Sequence, residues 1–575
     1  MIPSNAPIPP GLVAIAGALL VPFLPRRLRS PAFLFFCLLA LALVFSIPDG
    51  AVRTLRVMDY SLVLVRMDAL SRVFGIIFAL IALAGGIYAF HLKDAGQQSA
   101  ALLYAGSGLG VVMAGDLLTL LIFWEIMALA STYLVWARRT SESESAGTRY
   151  LLVHVFGGGL LFAGILVHLS QGGSLGIIRF APGTALGPWL MLAGIALNAA
   201  CPPLHAWLPD AYPKATVTGA VFMSAFTTKA AVYILLRVFP GWKILLVLGV
   251  MMALYGIAYT ILADDIRGIL AYHIISQVGF MVAGAGIGTE IGINGSVAHA
   301  YNNILYKALL FMAAGAVIEA TGRSKLSELG GLARSMPRTL ALYMIAAFSI
   351  SGVPLFNGFI SKSMVLSAAH EAHLTTAWAL MTLASAGTFF SLGLKLPYYA
   401  WFAKPQGARA GPLPRNMEIG MGLIAFLCIG YGLAPGLLYR FLPYAVSYKP
   451  YTVPHLVEAV ILLSLTFLAF LLLKGLIKPK EKVLLDLDWF YRRPAEAVRR
   501  IFVDGPGSVF DWTDRVVAGI VGKAAAFGRN PASVLTRGKD GAPYSPDLYR
   551  PMTQALIILV LACFLLLAAI GLLIR

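Results

Sequence analysis

The sequence predicts an all-α, polytopic membrane protein with about 16 transmembrane helices. Three observations support this fold class. Of the 575 residues, 59% are hydrophobic and 12% are charged, whereas globular domains carry about 25% charged residues. Apolar runs of about 17–25 residues, the length that crosses a hydrocarbon core, recur along the whole chain. Two of these runs contain prolines and glycines near their middle, which predicts broken helices.

The predicted spans follow one another with short loops between them, and no sizeable soluble domain remains. They lie near residues 11–24, 31–47, 67–90, 99–114, 116–136, 148–169, 187–209, 214–237, 242–262, 268–287, 294–319, 338–368, 375–402, 416–436, 453–477 and 551–574. The opening segment MIPSNAPIPP has no basic n-region, and no cleavage site follows the first run. We therefore expect the first span to be retained.

The net charge of +18 does not indicate nucleic-acid binding, because the basic residues sit in short loops between apolar runs and not along one face. Alternate loops are rich in lysine and arginine, which marks the cytoplasmic side. These residues are Arg26, Arg27, Arg29, Arg138, Arg139, Arg149, Arg323, Lys325, Arg334, Arg338, Lys404, Arg409 and Arg415. The intervening loops, such as GTEIGING and HEAH, are poor in them. With an even number of spans, we expect both termini on the outer face of a bacterial or archaeal cell membrane.

The four cysteines and two isolated histidines do not have the spacing of a disulfide framework or of a metal site. They are Cys37, Cys201, Cys428, Cys563, His154 and His168. We expect these side chains to pack between helices, and we expect no bound metal.

Two apolar runs are interrupted near their middle. The first reads NAACPPLHAWLPDAYPKA, with Pro202 and Pro203, and the second reads SISGVPLFNGFISKSMV, with Pro354. A proline removes a backbone donor and clashes with the preceding turn, so we expect both spans to break inside the membrane. The breaks lie about 150 residues apart in corresponding blocks of about five spans, a pattern typical of inverted-repeat transporters whose site lies near the bilayer midplane.

Four ionisable residues lie inside apolar segments. A charge at the bilayer centre costs roughly 2.5–3.5 kcal/mol on insertion scales, so it is retained only with a partner, water or a task. Burial and neighbouring charges switch the protonation state of such groups. When water links the groups, they pass a proton stepwise across the midplane. The sequence therefore predicts a proton relay formed by Glu125, Lys229, Lys307 and Lys362.

Structural interpretations compete with the relay. The alternative for Lys229 is a bond to carbonyls of a broken helix, and the alternative for Lys307 is a fixed charge that tunes its neighbours. In the first break, His205 and Asp210 are predicted to be capping or gate residues. Two further histidines are candidates either for relaying protons near neutral pH or for hydrogen-bonded packing: His273 and His299.

The C-terminal part has a different pattern. From about residue 484 to 548, aromatic and basic residues recur at roughly helical spacing. This pattern predicts short amphipathic helices on the cytoplasmic membrane surface, interrupted at Pro494, Pro506 and Pro531. A last span then returns through the bilayer.

Several stretches between about residues 100 and 400 resemble the antiporter-like, proton-conducting subunits shared by respiratory complex I and the Mrp-type cation/proton antiporters. They are FWEIM, PLHAWLPDA, FTTKAAVY, DIRGILAYHIISQVGFM, YKALLFMAAGA and GVPLFNGFISK, and AYHIISQVGFM looks closest to the Mrp D subunit. The resemblance implies about fourteen core helices in two inverted five-helix repeats, broken in the seventh and twelfth helices. The tail resembles the lateral element and anchor of the largest antiporter-like subunit of complex I.

The resemblance also implies roles for single residues. Glu125 corresponds to the family's glutamate on the fifth helix. Lys229, Lys307 and Lys362 correspond to its lysines on the eighth, eleventh and twelfth helices, respectively. Two positions depart from the family, because asparagine replaces a lysine at Asn198 and a histidine at Asn303. Asparagine carries no proton charge, so the usual ion pair at Glu125 is absent.

We predict a proton-translocating subunit of a complex I-like or Mrp-type complex, with Na⁺ as a candidate exchange ion. The alternatives are a degenerate structural subunit that has lost pumping, and a stand-alone solute transporter, which the few polar residues at the breaks disfavour. No nucleotide, flavin or iron–sulfur motif is seen, so we expect no cofactor and no catalytic chemistry in this chain. Oxidoreductase activity of a quinone-reductase or hydrogenase type would belong to partners.

The expected partners are sister antiporter-like membrane subunits and the lipid bilayer, not nucleic acid. The predicted divisions of the chain are N-terminal helices at 1–98, a proton-conducting core at 99–405, C-terminal helices at 406–480, an amphipathic surface segment at 481–550 and a final anchor at 551–575.

Overall fold

The computed structural model describes residues 8–480, 485–529 and 552–573. Apart from one hairpin, all regular structure in these residues is helical, which confirms the predicted all-α class. The chain divides into two compact units, Met1–Asp488 and Trp489–Arg575.

The first six helices each pack against the next one in sequence. They are α1 Pro10–Leu20, α2 Arg26–Ser46, α3 Ala69–Tyr88, α4 Ala95–Met113, α5 Leu117–Trp136 and α6 Ser141–Ser170. The last four begin at side chains that accept a hydrogen bond from the first-turn amides, which otherwise have no partner: Asp68, Asp94, Asp116 and Thr140. A two-stranded antiparallel hairpin, β1 Val52–Val57 and β2 Tyr60–Arg66, connects α2 to α3 and was not predicted.

The following helices include both predicted breaks. They are α7 Leu186–Asn198, α8 Trp207–Ala211, α9 Val217–Met223, α10 Thr227–Val238, α11 Lys243–Leu262, α12 Ile266–Ile287, α13 Glu290–Thr321, α14 Pro337–Ser351, α15 Asn357–Glu371, α16 Thr375–Thr388, α17 Arg415–Leu433, α18 Gly436–Tyr439 and α19 Val453–Leu473. The helix of α16 continues through two π-helical stretches, Phe389–Lys395 and Tyr398–Phe402.

Twelve helices of the described residues are long and apolar enough to cross a membrane. The remaining predicted spans correspond to shorter or interrupted helices: Pro10–Phe23, α4, α7 with α8, and α14 with α15. The polytopic architecture is therefore confirmed.

The central helices are the most completely buried. The 18-residue apolar stretch within Val217–Val238 is 100% buried inside the bundle, and the corresponding stretch within Ile266–Ile287 is 94% buried. Helices α11 and α12 approach closely because Gly249 faces Gly279, where a Cβ added to either residue would lie 2.5 Å from the carbonyl oxygen of the other. The centre of the bundle is thus shielded from lipid by the surrounding helices.

Three helices are interrupted within the bundle. The expected breaks separate α7 from α8 around Pro202 and Pro203, and α14 from α15 around Pro354. A third break, between α9 and α10, contains neither proline nor glycine and was not predicted. Each break leaves main-chain carbonyls without an intrahelical donor, so these carbonyls need partners from elsewhere.

The second unit contains α20 Trp489–Arg499, α21 Gly505–Arg529 and α22 Thr553–Leu573. The expected interruptions at Pro494 and Pro506 do not occur. Pro494 lies inside α20, and a π-helical turn at Arg500–Asp504 joins α20 to α21 just before Pro506. A wider turn accommodates a residue that lacks an N–H, so the helix continues. Pro531 lies outside the described residues.

Candidate functional site

Two of the predicted relay lysines lie at helix breaks. Lys229 is 0% exposed and Lys362 is 3% exposed. Lys229 Nζ donates to the carbonyl oxygen of Ser224 at 2.8 Å, in the break between α9 and α10. Lys362 Nζ donates to the carbonyl oxygen of Ile350 at 2.6 Å, at the end of α14. Each ammonium group therefore bonds a carbonyl that lies at a helix break.

The third buried lysine, Lys307, lies on α13, between the two breaks in sequence. Lys307 is 0% exposed, and its Nζ donates to the carbonyl oxygen of Leu270 on α12 at 3.1 Å. His273 and His299 are also 0% exposed. His273 interacts electrostatically with Lys307 and Lys362, and His299 with Lys229 and Lys362. Lys307 interacts in the same way with Lys229. We call these three lysines and two histidines the polar centre.

Buried polar atoms without a hydrogen-bond partner among the described residues accompany the polar centre. They are Thr228 Oγ1, both ring nitrogens of His273, Ser276 Oγ, Gln277 Oε1, His299 Nε2, Asn302 Oδ1, Asn303 Oδ1 and both amide atoms of Asn357. Such atoms are rare in folded proteins, where more than about 90% of buried polar groups are paired with protein or ordered water. Their concentration on α10, α12, α13 and the start of α15 marks a site suited to water.

Glu125 and Asn198 each pack against a glycine of α6, at adjacent positions. A Cβ added to Gly158 would overlap Glu125 Oε1, and one added to Gly157 would lie 3.4 Å from Asn198 Oδ1. Glu125 is half-buried and forms no hydrogen bond or ion pair with any residue that the structure describes. Asn198 is buried, and its Oδ1 likewise has no partner in the described part of the chain. Among the described residues, Glu125 therefore has no counter-ion.

The predicted gate residues have separate environments. His205 is 0% exposed in the segment between α7 and α8, and its Nε2 lies 3.1 Å from Asp486 Oδ1. Asp210 on α8 instead forms a bidentate ion pair with Arg149, at 2.7 and 3.0 Å. This ion pair ties α8 to α6.

A cavity of about 290 Å³ adjoins Lys362. Its walls include Ser351 and Thr382, and further away His370, His455 and Glu458. His370 is near the end of α15, and His455 and Glu458 are near the start of α19. The cavity thus leads from the polar centre towards the side of the bundle opposite the basic loops.

Sequence reasoning did not single out several buried charged residues, among them Lys395 and Asp486. Lys395, in the first π-helical stretch, is 2% exposed and donates to the carbonyl oxygens of Ile261 and Ala263 at 2.6 and 3.1 Å. Its signal was a lysine inside the apolar run SLGLKLPYYA. The second is Asp486, whose signal was a carboxylate in the apolar stretch LLDLDWF.

These features define a class of protein: a polytopic helical membrane subunit with broken helices and buried lysines at its centre. Residues 114–390 match the sequence model of a family described as NADH:quinone oxidoreductase/Mrp antiporter, TM. The chain belongs to this family.

The relatives support the same assignment. An uncharacterized protein of Methanocaldococcus jannaschii is 31% identical over 58% of this chain and 73% of its own length. The A/B subunit of a probable K⁺/H⁺ antiporter of Rhizobium meliloti is 30% identical over 74% of this chain, which spans only 46% of that relative. The D subunit of the Na⁺/H⁺ antiporter of Alkalihalophilus pseudofirmus is 30% identical over 51% of this chain and 63% of its own length. Hydrogenase-4 component B of Escherichia coli is 28% identical over 63% of this chain and 61% of its own length.

The fold agrees with a solved structure as well. A chain of the Mrp complex from Dietzia sp. superposes with a TM-score of 0.75 at 24% identity, covering 96% of this chain and 65% of that one.

Proposed function

We propose that this chain is a proton-translocating membrane subunit of a multi-subunit complex I-like or Mrp-type assembly in a bacterial or archaeal cell membrane. The observation that carries the proposal is the polar centre, in which three lysines and two histidines are buried on the mutually packed helices α10, α12, α13 and α15. Burying so many ionisable groups is costly, and function is the common reason that they are retained inside membrane helices.

The relay works by protonation and deprotonation of amines that stay in place. A carbonyl oxygen accepts a hydrogen bond from either an ammonium or an amine, so Lys229 and Lys362 remain held at the breaks in both states. A proton released by one lysine passes through water bound at the unpaired polar atoms and protonates the next. His273 and His299 are buried on α12 and α13, beside the unpaired polar atoms of those helices, and we propose that they extend this route. The order is Lys229, Lys307, then Lys362.

The cavity beside Lys362 supplies the outer end of the route. Ser351 and Thr382 offer hydroxyl groups near the lysine, and Glu458 offers a carboxylate at the far end. A proton leaving Lys362 has polar acceptors along this wall, whereas the neighbouring helix surfaces are apolar.

Asn198 and Asn303 change how protons reach this route, since neither stores a proton. They bind water through their amides, and Glu125 acts without an opposing lysine. The competing proposal, a structural subunit that has lost pumping, is supported by the same lysine–carbonyl bonds, because a purely structural lysine also needs such partners.

The exchange ion and the partners follow from the relatives. Their names include Na⁺/H⁺ and K⁺/H⁺ antiporter subunits, so we propose a monovalent cation as the ion exchanged for protons by the assembly. Sister antiporter-like membrane subunits are the proposed partners. The long helical arm Trp489–Arg529, with its exposed tryptophans, phenylalanines and arginines, offers them an extended surface.

The test is proton flux in membrane vesicles that contain the whole complex, from cells in which the natural copy is replaced by a variant. We expect Lys229→Ala and Lys362→Ala each to abolish flux while the complex still assembles. The matched control is Lys404→Ala, because Lys404 is exposed in a basic loop. Unchanged flux in both core variants would refute the proposal and leave the structural role.

A further inference from the structure

A carboxylate outside the predicted relay reaches the first helix break. Asp486 lies just before α20 in sequence, yet it belongs to the first compact unit and is only 8% exposed. Its Oδ1 is 3.1 Å from His205 Nε2, and its Oδ2 is 3.3 Å from the same nitrogen. The hydroxyls of Tyr255 and Tyr272 also donate to this carboxylate, at 2.7 Å for Tyr272.

Three tyrosines hold the segment that carries Asp486. Tyr255 and Tyr259 stack at 4.6 Å, and Tyr259 and Tyr272 stack at 5.1 Å between ring centroids. Tyr259 Oη also donates to the carbonyl oxygen of Leu485 at 3.0 Å. The rings come from α11 and α12, so this contact joins a segment near the C-terminal end of the unit to the middle of the chain.

The contacts determine which nitrogen of His205 carries a proton. Burial by itself raises the pKa of Asp486, but the hydrogen bond and charge of His205 and the two tyrosine hydroxyls outweigh burial and lower it to about 2. The carboxylate is therefore ionised at neutral pH and only accepts hydrogen bonds. His205 Nε2 must donate to it, which leaves Nδ1 as the nitrogen that gains and loses a proton. Nδ1 is buried without a partner among the described residues.

The pair lies towards the basic side of the bundle. Helix α8 follows His205 and leads to Pro213, whose carbonyl oxygen accepts a hydrogen bond from Arg138 in a basic loop at 2.8 Å. The other titratable groups that face the pair are Asp488 on the same segment, Tyr259 on α11 and Tyr272 on α12.

We infer that His205 is a proton-accepting site on the basic side of the first break, and that Asp486 is its positioning residue. This inference rests on the proposed proton translocation. The Nδ1 lone pair of neutral His205 accepts a proton from a hydronium ion, which becomes water as its O–H bond breaks and the Nδ1–H bond forms, and Asp486 stabilises the resulting imidazolium. Nδ1 then gives this proton to a water deeper in the bundle, where the Nδ1–H bond breaks and a new O–H bond forms, and Nε2 keeps its proton throughout.

The test is the pH dependence of proton flux in vesicles that contain the whole complex. An asparagine at 486 presents either an acceptor or a donor to the ring and has no charge, so it neither fixes the tautomer nor stabilises the imidazolium. For Asp486→Asn we expect the pH at half-maximal flux to fall and the flux above that pH to fall about tenfold. Asp486→Glu should restore most of both. Asp59→Asn, at the exposed turn of the hairpin, is the control.

Each outcome decides between explanations. A wild-type rate and pH profile in Asp486→Asn, with Lys229→Ala still inactive, overturns this inference and leaves the proposed function standing. A uniform loss at all pH values, with no rescue by glutamate, also overturns it, because that is what a structural anchor would show. Unchanged flux in both Asp486→Asn and Lys229→Ala overturns the proposed function as well. If Asp486→Asn does not accumulate, His205→Gln replaces it, and an unchanged pH profile there overturns the inference.

Discussion

The ion pair between Asp68 and Arg237 joins the start of α3 to the end of α10, the helix that carries Lys229. Both guanidinium–carboxylate distances are 2.7 Å. Burial raises the pKa of Asp68, but the hydrogen bonds and charge of Arg237, with smaller contributions from Ser71, outweigh burial and lower it from 3.8 to about 2. At about 1.36 kcal/mol per pKa unit, this difference corresponds to roughly 2.4 kcal/mol. The Asp68 side chain is 37% exposed, so solvent screening reduces the stabilisation to about 1–2 kcal/mol.

We therefore expect Asp68→Asn to lower the free energy of unfolding by about 1–2 kcal/mol at pH 7. Asparagine caps a helix as well as aspartate does, so the hydrogen bond from Ser71 N to Oδ1 is kept, whereas the charge and the hydrogen bond from Arg237 Nη1 to Oδ2 are lost. The folded-state pKa lies below the unfolded value of about 3.9, so this stability is present above about pH 4 and is lost as the pH falls through about 2. The assay is thermal unfolding of the detergent-solubilised protein from pH 7 downwards. Equal melting temperatures at pH 7, or a difference that persists at pH 2, would refute the reasoning.

Two further predictions concern the core. In Gly158→Ala the added Cβ displaces the Glu125 carboxylate, so we expect proton flux to fall several-fold while the free energy of unfolding falls by less than about 1 kcal/mol. Gly159→Ala serves as the control, because a Cβ added there meets nothing within 4 Å. Wild-type flux in Gly158→Ala would remove Glu125 from the route. Lys395→Met leaves the carbonyls of Ile261 and Ala263 without their donor, so we expect the free energy of unfolding to fall by about 1–3 kcal/mol while flux per folded molecule is unchanged. Loss of flux without loss of stability would instead place Lys395 in the relay.

The two predicted breaks illustrate what local sequence reveals. Pro202, Pro203 and Pro354 interrupt helices because a missing N–H and a steric clash act within one turn, whatever surrounds them. The third break could not be predicted in this way. No proline or glycine lies between α9 and α10, and the donor to the Ser224 carbonyl is a lysine ammonium that the sequence identified only as a buried charge.

The arm illustrates the opposite error. Pro494 and Pro506 were expected to end helices, yet helical structure continues from Trp489 to Arg529 through one π-helical turn. A π-helical turn precedes Pro506, whereas Pro494 lies inside α20 with no such turn before it, and composition reveals neither arrangement.

The sequence by itself determined that the chain is a polytopic helical membrane protein, where its spans lie, where prolines break two of them and that Lys229, Lys307 and Lys362 are buried. These properties depend on the length and composition of short segments, because transfer into a bilayer is decided locally. Only the tertiary structure decided which carbonyls hold the lysines, which polar atoms remain unpaired and that Asp486 meets His205. Those contacts join residues far apart in the chain, 281 positions for Asp486 and His205, and depend on helix packing that no single segment specifies.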